Sequence, residues 1–148
     1  MKTVLSIFPV ILFLMLVSSR FNSSYINREE DKRDAEQVIV QFYGLLKNQD
    51  YKGTYRLFDK RFIEVTDTQK LNEIYDISFE KLGNVESYNI EKWETEAIVG
   101  ANSKTNYVFL LNVKRSNYAS KETVTLLKEK DDIKVISYHV NSDGLFKK

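Results

Sequence analysis

The sequence predicts an α+β fold in which three N-terminal helices pack on a curved antiparallel sheet of about four strands. Residues 34–62 carry apolar side chains at helical spacing, interrupted by an Asn-Gln-Asp turn at 48–50. After Gly83 the apolar residues alternate with period two, and β-branched and aromatic residues become frequent. Because the helices precede the strands, we expect one helical layer on one antiparallel sheet, without βαβ units.

The first 19 residues predict a signal peptide or an N-terminal anchor. Lys2 precedes an uncharged apolar run that ends at Val17-Ser18-Ser19, where cleavage after Ser19 would fit. The run is shorter than the ~20 residues that cross a bilayer, although an uncleaved signal anchor is the alternative. We therefore expect export to the periplasm or the extracellular space, with membrane attachment only through an uncleaved N-terminus.

The remaining chain is predicted to hold a polar tether at 20–33 and one domain at 34–148. The tether is dense in charge and poor in apolar residues, and the domain must depend on its apolar core because the chain has no cysteine. There are 22 basic and 21 acidic residues, and the predicted signal removes one basic residue, Lys2. The resulting neutral balance argues against nucleic acid as a partner.

Three helices are predicted before Gly83. The first covers 35–47, with Asp34 as its N-cap. Glycine costs about 1 kcal/mol in a helix, so Gly44 predicts either a close packing contact, which we favour, or an early end of the helix. The second covers 51–59. The third covers 67–82, where a Thr-Asp-Thr-Gln capping box precedes a helical apolar stripe.

Four strands are predicted after the helices, over 85–93, 105–114, 122–130 and 134–141. The segment 94–104 is ambiguous, since 97–99 could extend the first strand. Residues 107–111 are apolar on both faces, which predicts a central strand covered by helices on one side and by something else on the other.

The chain resembles the nuclear transport factor 2-like superfamily of cone-shaped α+β domains. Within it, the chain is similar to small exported bacterial domains of unknown function, the DUF4019 and DUF3887 types. The resemblance covers most of 34–145. It rests on FYGLLKNQDYKGTYRLFD, on FEKLGNVESYNIEKW, on the strand entry at 102–113 and on ETVTLLKEKDDIKVISYHVNSDGL. It implies a cone with a pocket between sheet and helices, and it implies no established function.

The resemblance implies that a catalytic residue would be a carboxylate or a histidine inside the cone, as in the enzymes of this fold. His139 is the only histidine, and strand alternation predicts that it shares a face with Val135 and Ser137. It is the weak candidate for a catalytic base. A lone histidine on a strand is more often a surface or structural residue.

Aromatic side chains supply the remaining candidates for a binding site. They would line a pocket for a small apolar ligand, with the tyrosine hydroxyls fixing its orientation, although such residues most often form the core. The candidate ligand-binding residues are Tyr43, Tyr55, Trp93, Tyr107 and Tyr138. The sequence shows no zinc or calcium ligand set, no nucleophile motif and no phosphate loop, so no metal and no cofactor is expected.

Two functions follow from the sequence. The first is a non-catalytic exported domain of the cell envelope that binds a partner protein or forms a homodimer through the outer face of its sheet. The second is a binder of a small apolar ligand, or a cone-type isomerase or dehydratase that uses His139.

Overall fold

The computed structural model describes residues 23–147 and confirms an α+β fold, with three helices and a five-stranded antiparallel sheet. The helices are α1 (Glu29–Lys47), α2 (Tyr51–Thr54) and α3 (Lys60–Leu82), and 3-10 turns cover Tyr55–Leu57 and Asp143–Phe146. The strands are β1 (Ser23–Ile26), β2 (Val85–Val99), β3 (Lys104–Arg115), β4 (Ser120–Glu129) and β5 (Asp132–Asn141).

The sheet is an open meander with the order β1-β2-β3-β4-β5, and each strand pairs with its neighbours in antiparallel fashion. The four predicted strands are all present. β2 extends through the ambiguous segment to Val99, and bulges at Glu86 and Glu91 bend it on the way.

The prediction of about four strands that follow the helices is wrong at the N-terminus. Ser23–Ile26, which the sequence assigned to the polar tether, pairs with the last four residues of β2 and adds a fifth strand. Every side chain of β1 is exposed, so no apolar pattern marks it. Asn27 continues the contact, because its side-chain oxygen accepts a hydrogen bond from Thr95 N at 2.9 Å.

Helix α1 begins at Glu29, six residues before the predicted start, and Asp34 is not its N-cap. The first turn carries Glu29, Glu30 and Asp31, whose negative charges are favourable at a helix N-terminus. Asp34 lies inside the helix, and its carboxylate accepts a hydrogen bond from Lys128 Nζ at 2.8 Å. The prediction of a tether at 20–33 rested on its dense charge, but residues 29–33 belong to the helix.

Gly44 makes none of the packing contact that the sequence predicted. It is exposed near the end of α1, and a Cβ built on it would meet nothing within 4 Å.

The predicted second helix is shorter and changes type. Asp50 caps α2, since its Oδ1 accepts a hydrogen bond from Gly53 N at 2.9 Å, and a 3-10 turn follows. Phe58 is extended and bridges Val135 of β5 in parallel, with Asp59 N donating to Val135 O at 2.9 Å. This bridge ties the helical segment to the edge of the sheet.

Helix α3 is kinked at the residue where the sequence predicted its start. Asp67 has φ 55° and ψ 165°, and its Oδ1 accepts a hydrogen bond from Lys70 N at 2.8 Å, which caps the second half of the helix. The first half, from Lys60, was not predicted. The helix ends at Gly83 as predicted, where φ is 84° and the N–H donates to Phe79 O at 2.9 Å.

The core lies between the helices and one face of the sheet, here called the inner face. Side chains of α1 and α3 pack against alternate residues of the strands, as expected when a sheet buries one face. Fully buried members are Ile39, Phe42, Leu71, Phe109, Leu111, Val124, Leu126 and Val135.

The predicted signal at 1–19 lies outside the described residues. No helix in the described part of the chain is long and apolar enough to cross a membrane.

Candidate functional site

The inner face of the sheet carries a buried carboxylate, Glu122, at the start of β4. Glu122 follows the same alternation as Val124 and Leu126, and its exposed fraction is 0%. A buried carboxylate requires charge compensation and hydrogen bonds to be stable there.

Glu122 receives hydrogen bonds from four side chains on four different parts of the fold. The hydroxyls of Tyr43 (α1) and Tyr138 (β5) each donate to its Oε2 at 2.8 Å. Arg115 (end of β3) donates to its Oε1 from Nε at 3.0 Å and from Nη2 at 2.7 Å, and Ser120 Oγ also donates to it at 2.7 Å. These five residues are called the Glu122 cluster.

Burial and charge shift the titration of the Glu122 cluster. Burial raises the pKa of the Tyr43 and Tyr138 hydroxyls well above the usual value, and the Glu122 charge raises each pKa further. Burial lowers the pKa of Arg115, but the charge and hydrogen bonds of Glu122, together with the two tyrosines, outweigh burial, so the pKa of the guanidinium is raised. At neutral pH Arg115 is therefore charged and the two phenols are neutral.

The Glu122 cluster has little capacity for chemistry on a substrate. Both carboxylate oxygens are already occupied by protein donors, so Glu122 is not free to take a proton from a bound molecule. The adjoining crevice has a volume of about 10 Å³ and lies between Tyr51, Tyr75 and Arg115. A space of that size holds about one water molecule. The cluster instead fastens α1, β3, β4 and β5 together.

The structure brings together two of the five aromatic candidates. Tyr43 and Tyr138 meet at Glu122, both packed against Phe42 with ring centroids 5.4 Å and 5.1 Å away. Their hydroxyls bind the protein itself, so they face no ligand space in this arrangement.

The other three aromatic candidates lie apart. The Tyr55 hydroxyl donates to Asn72 Oδ1 at 2.7 Å, and Trp93 is half-buried with Lys32 Nζ 5.2 Å from its ring centre. Tyr107 is fully buried, and burial raises the pKa of its hydroxyl. Within the described residues, the Tyr107 hydroxyl and the Thr95 hydroxyl have no hydrogen-bond partner. These residues do not form one pocket with Tyr43 and Tyr138.

His139 faces away from the core, and the prediction that it shares a face with Val135 is wrong. A bulge in β5 places Thr125 opposite Ser137 and Leu126 opposite Val135, which leaves Ile136 as the extra residue. The extra residue reverses the alternation, so Val135 and Tyr138 are both buried whereas His139 is exposed.

A surface cleft of about 730 Å³ lies between the 3-10 turn after α2, the start of α3 and the β4–β5 hairpin. Tyr55 and Ile63 line it among charged residues of both signs. Arg61 crosses it, with its guanidinium 2.8 Å from Asp59 and 3.1 Å from Glu129. Four basic and four acidic residues line the cleft, so its formal charges balance and favour neither a cationic nor an anionic ligand.

The opposite face of the sheet, here called the outer face, has an uncharged centre and charged margins. Strand pairing aligns three rows across β2, β3, β4 and β5. The rows are Glu96-Asn106-Leu127-Lys134, Glu94-Val108-Thr125-Ser137 and Lys92-Leu110-Thr123-His139. The six residues from β3 and β4 are called the uncharged patch. Val108, at its centre, is 36% exposed.

The alternation of side chains along β3 and β4 indicates the buried position of Glu122 from the sequence. Alternation on β4 places Glu122 on the face of Val124, and alternation on β3 places Arg115 on the face of Val113. Opposite charges on two buried positions of adjacent strands indicate an internal ion pair. Within residues 23–147 no group of three potential ligands could hold a metal ion.

Comparison with known proteins leaves the family open. No family model, curated protein or solved structure matches this chain.

Proposed function

We propose that this protein is a non-catalytic interaction domain of the cell envelope that self-associates through the outer face of its sheet. The observation that carries the proposal is the uncharged patch. Its six residues occupy the centre of an exposed sheet in a chain of which 29% is charged. In a protein so rich in charge, an uncharged area between charged margins favours contact with another protein surface.

The inner face supports the same proposal, because the polar groups of the Glu122 cluster bind one another rather than a ligand. The Glu122 cluster uses its polar groups to hold the fold together, and Tyr43 and Tyr138 belong to it. His139 lies at the margin of the outer face, away from these groups. We therefore favour interaction over the alternative of an isomerase or a binder of a small apolar ligand.

The size of the outer face favours a weak and reversible contact. Four strands over the ten residues of β4 and β5 span roughly 650 Å² per copy, at ~4.8 Å between strands and ~3.4 Å per residue. Stable interfaces bury about 800 Å² per partner, so this face lies slightly below that size. We expect reversible association with a Kd of about 1 μM or above.

The family and the location belong to the same proposal. The resemblance to nuclear transport factor 2-like domains and the predicted signal at 1–19 support an exported envelope protein. Fractionation of the producing cells with N-terminal sequencing tests the location, and a cytoplasmic protein that keeps Met1 would contradict it.

Sedimentation velocity over a range of concentrations tests the association. We expect a monomer–dimer equilibrium that Val108→Lys shifts to monomer, because the substitution places a charge at the centre of the uncharged patch. Val65→Lys is the matched control, since Val65 is 79% exposed on α3, away from the sheet. A protein that stays monomeric at hundreds of micromolar, or a dimer that Val108→Lys leaves intact, would contradict the proposal.

A further inference from the structure

We propose that the two copies are related by a twofold axis parallel to β3 and β4, so that Glu96 of each copy faces Lys134 of the other. This inference rests on the proposed function, because it specifies how the outer faces meet. It assigns Glu96 and Lys134 as the residues that determine the orientation of the pair.

A twofold axis in the plane between two facing sheets has two simple orientations. An axis parallel to the strands places β2 over β5 and β3 over β4 of the second copy, and it keeps each row over the same row. An axis perpendicular to the strands places each strand over itself and exchanges the first row with the third. The row order given by strand pairing decides which charges meet in each case.

The axis parallel to the strands brings opposite charges together. In the first row Glu96 faces Lys134 of the second copy, with Asn106 and Leu127 between them. The next row outward is Ile98-Lys104-Glu129-Asp132, and there Lys104 faces Glu129 of the second copy. By symmetry each attraction occurs twice.

The axis perpendicular to the strands brings like charges together. Glu94 in the middle row would lie over Glu94 of the second copy. Like charges at the edge of a closing interface oppose association and select against an orientation. This orientation also offers attractions, Glu96 over Lys92 and Glu129 over Lys121, but neither removes the repulsion between the two Glu94 side chains.

The state of the charges in one copy is compatible with the first arrangement. Glu96 and Lys104 form no ion pair with the described residues, so their charges are open to a partner. Lys134 Nζ is turned around the edge of the sheet toward the helices, where it lines the surface cleft, donates to Arg56 O at 2.9 Å and lies 3.5 Å from Asp132, with 33% of its side chain exposed. The facing carboxylate of Glu96 would compete for this ammonium group.

Charge exchange tests the orientation by sedimentation velocity. We expect Glu96→Lys to raise the Kd roughly tenfold, because two exposed pairs change from attraction to repulsion. Lys134→Glu should act alike, and the double variant Glu96→Lys/Lys134→Glu should restore the affinity. The matched double variant Glu96→Lys/Lys92→Glu should not restore it.

Crosslinking of single cysteines gives a second measurement, free of background because the chain has no cysteine. In the proposed orientation Glu94→Cys lies over Ser137→Cys of the second copy, so a short bismaleimide should join a mixture of the two variants and not Glu94→Cys alone. Facing sheets lie ~10 Å apart, which suits such a linker.

Three results would each overturn the proposed orientation. The first is that Glu96→Lys/Lys92→Glu restores the affinity, the second is that neither double variant restores it, and the third is that Glu94→Cys crosslinks alone. In all three cases dissociation by Val108→Lys would leave the proposed function standing. If Val108→Lys failed to dissociate the dimer, both the proposed function and this inference would be wrong.

Discussion

Replacing Glu122 by leucine should be among the most destabilising single changes in this chain. Leucine is close to glutamate in volume, so the substitution removes the charge and the acceptors and creates little cavity. Arg115, 8% exposed, would keep a buried charge without its partner, and breaking a buried ion pair in this way costs about 3–5 kcal/mol. The hydroxyls of Tyr43 and Tyr138 would also lose their acceptor. We expect a loss of at least ~4 kcal/mol in the free energy of unfolding.

A second substitution tests the reason for that loss. Arg115→Met/Glu122→Leu replaces both charges by apolar groups, and such replacements are often neutral. The double variant should therefore be about 2 kcal/mol more stable than Glu122→Leu alone, with the phenol hydroxyls accounting for the remaining cost. If the double variant lost as much free energy of unfolding as Arg115→Met and Glu122→Leu lose in sum, the two residues would not be coupled.

The free energy of unfolding is measured in urea titrations that are monitored by far-ultraviolet circular dichroism and by the fluorescence of Trp93, the only tryptophan. It should be done at low protein concentration, where self-association contributes little. Glu64→Leu is the control, because this carboxylate is exposed on α3 and should change stability by less than ~0.5 kcal/mol. A cost below ~1 kcal/mol for Glu122→Leu would show that the buried pair is not the support described here.

Three further predictions concern pH and glycine. The raised pKa values of Tyr43 and Tyr138 mean that the folded chain keeps protons that the unfolded chain loses above about pH 10. Stability should thus be intact below pH 10 and fall above it by up to ~1.4 kcal/mol per pH unit for each phenol, and Tyr43→Phe should flatten that slope in urea titrations between pH 9 and 11. Gly44→Ala should raise the free energy of unfolding by about 1 kcal/mol, since the position is helical and open, and no gain in thermal unfolding would show that Gly44 has a contact in solution. Gly83→Ala should cost more than ~1 kcal/mol, because φ is 84° and the added Cβ would meet the Ser116 hydroxyl, so an unchanged midpoint would contradict the described turn.

Local periodicity determined most of the secondary structure from the sequence alone. The four long strands and the end of α3 at Gly83 follow from alternation and from glycine geometry, which act within a few residues. Charge density misled at the N-terminus. The acidic residues in the first turn of α1 interact favourably with the helix dipole, so their charge accompanies a helix and not a disordered tether. Strand β1 forms by pairing with the end of β2, which no local pattern indicates.

The site depended on contacts between distant parts of the chain, which periodicity does not report. One extra residue in β5 reversed the alternation and moved His139 to the outer face, and only pairing with β4 reveals such a bulge. The partners of Glu122 come from α1, β3 and β5, with Tyr43 79 residues away in sequence. The sequence by itself determined the fold class and the four long strands. Tertiary structure decided which polar groups became the core of the fold and which face of the sheet stayed exposed, because burial and pairing are properties of packed elements.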